Sequence, residues 1–274
     1  MNDKYHLEPA HIISGNIIYL SYPIKKILYR GKSKYQEICV AETPFGKTLI
    51  LDGVLQFTVY DEEIYHTGLI HPVVKHYYRR ILVLGGGDGG AAREIRKVLP
   101  SANIKVVDID PEVTNIVQEY IPEVPAGIFD DKYVELINMD AHKYIANTQE
   151  RFDLIVGDLT DIRDEALKGS EVNILYTREF LSLLKDKLKR GGRVVYHVGG
   201  LNLDPDLIHT FWECAKSVFK YTVGYGIYIP SFLDIWCYIV MSEYKIKLNP
   251  IKYRYIKLKY CEQIHKHTPI CFLR

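Results

Sequence analysis

The chain has 274 residues, 47% of them hydrophobic and 25% charged, with a formal net charge of +1 at pH 7. That is enough to bury one large core, or one large and one small, and no partner follows from the net charge. Near Met1 nothing reads as a charged segment followed by an apolar run, and no apolar stretch approaches the ~20 residues that span a bilayer. The expectation is therefore a cytoplasmic protein that does not enter a membrane. The five cysteines (Cys39, Cys214, Cys237, Cys261 and Cys271) are scattered, without CxxC or histidine spacing, and suggest neither a disulfide framework nor a zinc site. The 22 tyrosines are spread along the chain rather than clustered as a stacking surface, and the late lysine-rich run KIKLNPIKYRYIKLKY suits a surface edge strand, so a nucleic-acid partner is not expected.

From Asn16 to about Tyr60, the β-branched and aromatic runs IIYLSY, YQEICVAE, KTLILDG and VLQFTVY alternate with the turn signals Gly31, Pro44-Phe45-Gly46 and Asp52-Gly53. This predicts a β-hairpin layer. DEEIYHTGLIHPVVKH, from Asp61 to His76, then turns helical, with Ile64, Leu69 and Ile70 on an apolar face and Pro72 as a break near its middle. ILVLGGGDGG, Ile81 to Gly90, reads as buried strand, tight turn and helix N-terminus. Beyond it, the strand-like IKVVDID, VELINMD, FDLIVGDL and GGRVVYHV are separated by helical stretches around Pro111 to Tyr120, His142 to Ala146 and Arg178 to Lys189. A helix near Pro205 to Phe219 precedes YGIYIPSF and DIWCYIVMS, a hairpin closing the sheet edge. The fold class is α/β: residues 1–72 form a small β-hairpin domain with a linking helix, and residues 73–274 a doubly wound, mainly parallel, Rossmann-like sheet.

Gly85, Gly87 and Gly90 fit the GxGxxG fingerprint, and Asp108 follows at about the distance (~20 residues) at which an acid holds a ribose hydroxyl. Alone, that match is weak. Asp88 sharpens it, because it sits where a pyrophosphate would rest on backbone N–H groups and the positive end of a helix. A carboxylate there repels phosphate, so the ligand facing the loop is uncharged or cationic, such as a nucleoside sulfonium rather than a nicotinamide cofactor. The alternative is that Asp88 is a solvated loop residue. Acids close four successive strands: Asp88; Asp108 with Asp110; Asp140; and Asp158 with Asp161. One such aspartate is commonly a helix cap, but a series fits a ligand, with Asp140 facing an adenine amino group, Asp108 a ribose diol and Asp88 an amine.

These residues together resemble the polyamine aminopropyltransferases (spermidine, spermine and thermospermine synthases) over nearly the whole chain. The resemblance lies in SKYQEI at Ser33 to Ile38, GKTLILDGVLQ at Gly46 to Gln56, DEEIYH at Asp61 to His66 and GGGDGGAARE at Gly85 to Glu94, then VDID, MDA, GDLTD and LYTREF, in order. It implies a class I methyltransferase-type Rossmann domain, no resident cofactor or metal, and decarboxylated S-adenosylmethionine as co-substrate. It further implies a donor held by Gln36, Leu51, His66, Gly85, Asp88, Asp108 and the pair Asp140-Ala141, with Asp158 as proton acceptor and Tyr65 beside it. The acceptor set it suggests is Tyr65, Asp88, Asp161, His197, Phe232 and Asp234, in a homodimer or homotetramer.

The chemistry is consistent with those roles. An amine of pKa ~10.4 must shed its proton before it attacks, at a cost of ~4 to 5 kcal/mol at pH 7. Asp158 and Asp161 sharing one pocket would raise a carboxylate's pKa and draw in a polycation. The neutral thioether that leaves requires no metal or oxyanion hole. Departures from the pattern of spermidine synthases concern the acceptor end. Asp108 stands for a usual glutamate, Thr67 for another, and Pro230 to Asp234 for a PTYPSG segment; the first and third resemble thermospermine synthases. Ile162 and His197 fit neither group, and Phe232 and Trp236 read equally well as core aromatics. The favoured acceptor is spermidine, giving thermospermine or spermine, with Asp234 or the acids Asp164 and Glu165 of a gate over residues 160–173 facing the internal charge. Alternatives are a spermidine synthase using putrescine, or a broad enzyme accepting agmatine, cadaverine or norspermidine. A methyltransferase is disfavoured because Asp88 would oppose the carboxylate of intact S-adenosylmethionine, and a non-catalytic polyamine binder because Asp158 and Tyr65 are both present.

Overall fold

The computed structural model describes residues 4–13, 16–160, 174–251 and 271–273. The expected gate, with Asp161, Ile162, Asp164 and Glu165, lies outside the described residues except for its first position. Strands β1 (Tyr5–Ile13) and β2 (Asn16–Pro23) form an antiparallel ribbon of their own. β1 was not expected from the sequence; Pro9 within it lacks an amide donor, and the register shifts between Pro9 and His11. A second sheet runs in the order β3 (Lys26–Lys32), β4 (Glu37–Thr43), β5 (Gly46–Leu51), β6 (Val54–Thr58). Asp52 and Gly53 join β5 to β6 with φ of 47° and 76°, the doubly positive turn that an Asp-Gly pair favours.

Helix α1 (Glu62–Ile70) ends before Pro72 rather than running past it: His71 still has helical φ and ψ of −62° and −36°, but Pro72 has no N–H with which to continue the ladder. The main sheet comprises β7 (Arg80–Gly85), β8 (Asn103–Asp108), β9 (Val134–Asn138), β10 (Phe152–Asp158), β11 (Leu188–Gly200), β12 (Tyr221–Ile229), β13 (Asp234–Ser242) and β14 (Cys271–Leu273). Its order is β14-β12-β13-β11-β10-β7-β8-β9, with β11, β10, β7, β8 and β9 parallel and the rest antiparallel. The order reverses between β7 and β10, where ligands of open α/β sheets bind. The helix expected to Lys189 is corrected: α5 (Arg178–Asp186) stops earlier because buried Leu188 already pairs with Phe152 in β11.

Alternation along the strands divides the core. Ile81 and Val83 of β7 pack toward α1 and α2 (Gly90–Val98), while Leu82 and Leu84 pack toward α4 (Ala141–Asn147), α5 and α6 (Pro205–Val218). Each such side chain contributes about 1.5–3 kcal/mol by leaving water. A third cluster joins Ile38, Val40, Leu49 and Phe57 to Val113, Ile116 and Val117 of α3 (Pro111–Tyr120), which seats the second sheet beside the ends of β7 and β8.

Candidate active site

The turn after β7 can form only with glycine at its critical points. Gly85, Gly86 and Gly89 have φ of 77°, 69° and 82°, and a side chain on Gly85 would meet the carbonyl of Asp158. Gly86 N–H closes onto that carbonyl at 2.9 Å, fixing the end of β10 beside the loop. Asp88 folds back so that its Oδ1 accepts from Gly90 N–H at 2.6 Å. It thus occupies a donor at the start of α2 that a phosphate would otherwise use.

A cavity of about 460 Å³ opens over this turn, lined among others by Gln36, Leu51, Tyr65, Gly85, Asp88, Asp108, Asp140, Ala141, Asp158, His197 and Trp236. Asp108 takes backbone N–H groups from Gly87 and Asp110, both at 2.9 Å. Asp140 caps α4 by accepting from Lys143 N–H at 2.8 Å, so capping and cavity lining coexist in one residue. Asp110 caps α3 and also takes Ser33 Oγ–H at 2.6 Å and Gln36 Nε2–H at 2.9 Å, which hooks the second sheet over the cavity and orients the Gln36 carboxamide.

Asp158 closes β10 with only 9% of its surface exposed. Tyr65 donates its hydroxyl to Oδ1 at 2.9 Å, whereas Oδ2 has no hydrogen-bond partner among the described residues. Burial is the main reason its carboxyl is pushed up to about 7; the charge of Asp88 adds to this, and His66 and the Tyr65 hydroxyl oppose it. Burial likewise raises Asp108 to about 6, against the two N–H groups it receives. His197 is pushed down to about 4, chiefly by burial, and its Nε2 donates to the Leu159 carbonyl at 2.5 Å. A neutral imidazole therefore faces the cavity at pH 7. The Tyr65 ring meets those of His197, Phe232 and Trp236 at centroid distances of 5.5, 6.1 and 6.5 Å. Its backbone carbonyl accepts from Tyr238 at 3.0 Å, which holds α1 on β13. The arrangement offers one carboxylate able to take a proton at neutral pH, inside a negatively charged, ring-walled pocket.

Three residues expected at the site stand elsewhere. His66 is wholly buried beneath Asp88, with Nε2 3.6 Å from Oδ1, and lies outside the cavity lining. Phe232 packs behind Trp236 at 4.5 Å, whereas Trp236 itself reaches the cavity. Asp234 is 1% exposed and accepts from the backbone N–H groups of Asn202 and Leu203, both at 3.0 Å, so it locks the loop after β11 instead of facing the cavity. Asp161 lies outside the described residues. The ion cluster of Glu62 and Arg93 behind His66 was not anticipated, although Glu62 and His66 stand four apart on one helix, a spacing that places them on the same face.

Residues 57–251 match the spermine/spermidine synthase domain, and residues 11–58 the spermidine synthase tetramerisation domain. A polyamine aminopropyltransferase of Hyperthermus butylicus is 39% identical over 235 residues, covering 84% of this chain and 79% of its own. A thermospermine synthase of Arabidopsis thaliana is 35% identical over 235 residues, covering 84% and 68%. The crystal structure of spermidine synthase from Thermotoga maritima superposes with a TM-score of 0.76 at 27% identity, over 89% of this chain and 80% of that one. The matched domain spans well over half of the chain, including the glycine turn, α1 and the end of β10, and the chain belongs to the spermine/spermidine synthase family of aminopropyltransferases.

Proposed function

We propose that this protein transfers the aminopropyl group of decarboxylated S-adenosylmethionine to a terminal amine of spermidine, giving thermospermine or spermine and releasing 5′-methylthioadenosine. The reading rests on Asp158, a buried carboxyl pushed up to about 7 at the wall of the cavity, held by Tyr65 through one oxygen, with the other oxygen unpaired among the described residues. The attacking amine gives its proton to the Asp158 carboxylate. Its nitrogen then bonds to the propyl carbon next to sulfur as the C–S bond breaks, and the electron pair moves onto sulfur, which leaves as a neutral thioether. In this reading Asp108 holds the ribose diol, Asp140 the adenine amino group and Asp88 the aminopropyl ammonium, with Gln36, Leu51, Gly85 and Ala141 shaping the nucleoside end. Decarboxylated S-adenosylmethionine is a co-substrate, and no resident cofactor or metal enters the scheme. The match of residues 11–58 to a tetramerisation domain favours a homo-oligomer.

Spermidine as acceptor is supported by the similarity to a thermospermine synthase and by the neutral His197, which adds no positive charge against a polycation. Asp234 no longer contributes to that argument, since its carboxylate is spent on backbone amides. A second reading, transfer to putrescine, is favoured by the likeness to a spermidine synthase. Incubation with labelled donor and putrescine, cadaverine, agmatine, norspermidine or spermidine, with products identified by mass, separates them. Spermidine should give the highest kcat/KM; a putrescine preference of about tenfold or more, ~1.4 kcal/mol in transition-state binding, would favour the second reading.

A further inference from the structure

Glu62 and Arg93 do not line the cavity, yet they are joined to it through a chain of ion pairs. Arg93 on α2 reaches α1 by two parallel hydrogen bonds, Nη1 to Glu62 Oε1 at 2.9 Å and Nη2 to Oε2 at 2.7 Å, and Nη1 is further anchored on the Val124 carbonyl at 2.6 Å. Such a two-pronged pair fixes both planes. Glu62 Oε2 in turn lies 2.8 Å from His66 Nδ1, and the Glu62 carbonyl lies 2.9 Å from the same nitrogen. Both oxygens only accept, so Nδ1 carries a proton.

The other ring nitrogen, Nε2, is buried and faces Asp88 Oδ1 at 3.6 Å. A ring protonated at Nδ1 alone would turn a buried lone pair toward a carboxylate, whereas a second proton makes the contact attractive. One ring atom of His66 and one carboxylate oxygen each of Asp88 and Asp158 lie within 4.8 Å of one another, so a charge on the ring acts directly on both acids. The ionisable groups packed around His66 are Glu62 and Tyr65 on α1, Asp88 in the glycine turn, Arg93 on α2, Asp158 on β10 and His197 on β11.

We propose that Glu62, clamped by Arg93, is a positioning residue for aminopropyl transfer: it holds His66 as an imidazolium that fixes the Asp88 carboxylate and offsets its charge beside Asp158. The directions of titration agree. Burial works against charge on His66, yet Asp88 and Glu62 together raise it well above the ordinary histidine value; burial also works against charge on Asp88, yet His66 holds it low. The kinetic consequence rests on the transfer reading above, but the state of the ring does not. Removing the imidazolium takes away an influence that keeps Asp158 acidic, so Asp158 retains its proton to higher pH.

The test has a substrate-free arm and a kinetic arm. In the free protein, 15N NMR of His66 should show both ring nitrogens protonated at pH 8 in the wild type, and a ring that loses one proton below pH 8 in Glu62→Gln. In steady state, Glu62→Gln should move the acid limb of kcat/KM upward by about one pH unit, with the loss greatest at pH 6.5 and shrinking toward pH 9. In a His66→Gln background the same substitution should move the limb no further. Arg93→Lys, which keeps the charge but loses the second prong, should shift the ring's titration in the same direction by less and serves if Glu62→Gln does not fold. A singly protonated ring in the wild type, or a loss uniform across pH with the limb unmoved, overturns the proposal. Absence of aminopropylated product from the wild type would instead defeat the transfer reading and leave the NMR result standing.

Discussion

The two walls of the cavity are built in opposite ways. Beneath the glycine turn, one wall is made of carboxylates: Asp88 after β7, Asp108 at the end of β8, Asp140 after β9 and Asp158 at the end of β10. Facing it are rings drawn from distant parts of the chain, Tyr65 from α1, His197 from β11 and Trp236 from β13. In the proposed reading the acids face a cationic substrate, while the rings close over Asp158, whose Oδ1 the Tyr65 hydroxyl meets. Burial is the main cause of the rise at both Asp158 and Asp108.

Disabling the acid wall at its centre should have the largest effect. Asp158→Asn keeps the shape of the pocket but removes the proposed proton acceptor, and turnover should fall by ~10² or more while donor affinity by calorimetry changes little. Removing only the contact between the two walls is gentler. Tyr65→Phe deletes the hydroxyl that stabilises ionised Asp158, so its pKa rises further; kcat/KM at pH 7 should drop about tenfold and partly recover by pH 9. Asp88→Asn leaves both walls standing but neutralises one acid, and should narrow the discrimination between decarboxylated and intact S-adenosylmethionine by roughly fivefold in competitive binding. An equal loss for both ligands would reduce Asp88 to a shaper of the turn.

The smallest effect is on stability. The pKa of Asp158 is higher in the folded chain than in the unfolded one, so the folded state holds the proton more tightly, and ionisation costs stability as pH rises from about 4 to about 7. Asp158→Asn should therefore melt a few degrees above the wild type at pH 8, with the gap closing by pH 4, as followed by thermal denaturation.

The acid wall was largely legible in the sequence because it follows a local rule: each carboxylate closes a strand whose apolar run and following turn can be read within ten residues. The Asp52-Gly53 hairpin was legible for the same reason. Of the ring wall, Tyr65 and His197 were named only through the family resemblance and Trp236 was not named as a site residue, because which rings meet depends on which strands become neighbours. Phe232 and Trp236 are near each other in the chain and equally aromatic, but only Trp236 lines the cavity. Asp234 was expected to face the internal charge of a long acceptor, yet the loop after β11 turns back and engages it through the amides of Asn202 and Leu203. Likewise Ser33 and Asp110, 77 residues apart, meet only because the second sheet packs on α3.

The account stands on Asp158 being the group that takes the amine's proton. The most direct measurement is the single-turnover rate of aminopropyl transfer from labelled decarboxylated S-adenosylmethionine to spermidine, followed by mass between pH 5.5 and 9 in the wild type and in Asp158→Asn. The account predicts a wild-type rate that falls below about pH 7 with the loss of one ionised group, and a slow Asp158→Asn rate without that limb. A wild-type rate indifferent to pH across this range, or the same limb persisting in Asp158→Asn, would contradict it.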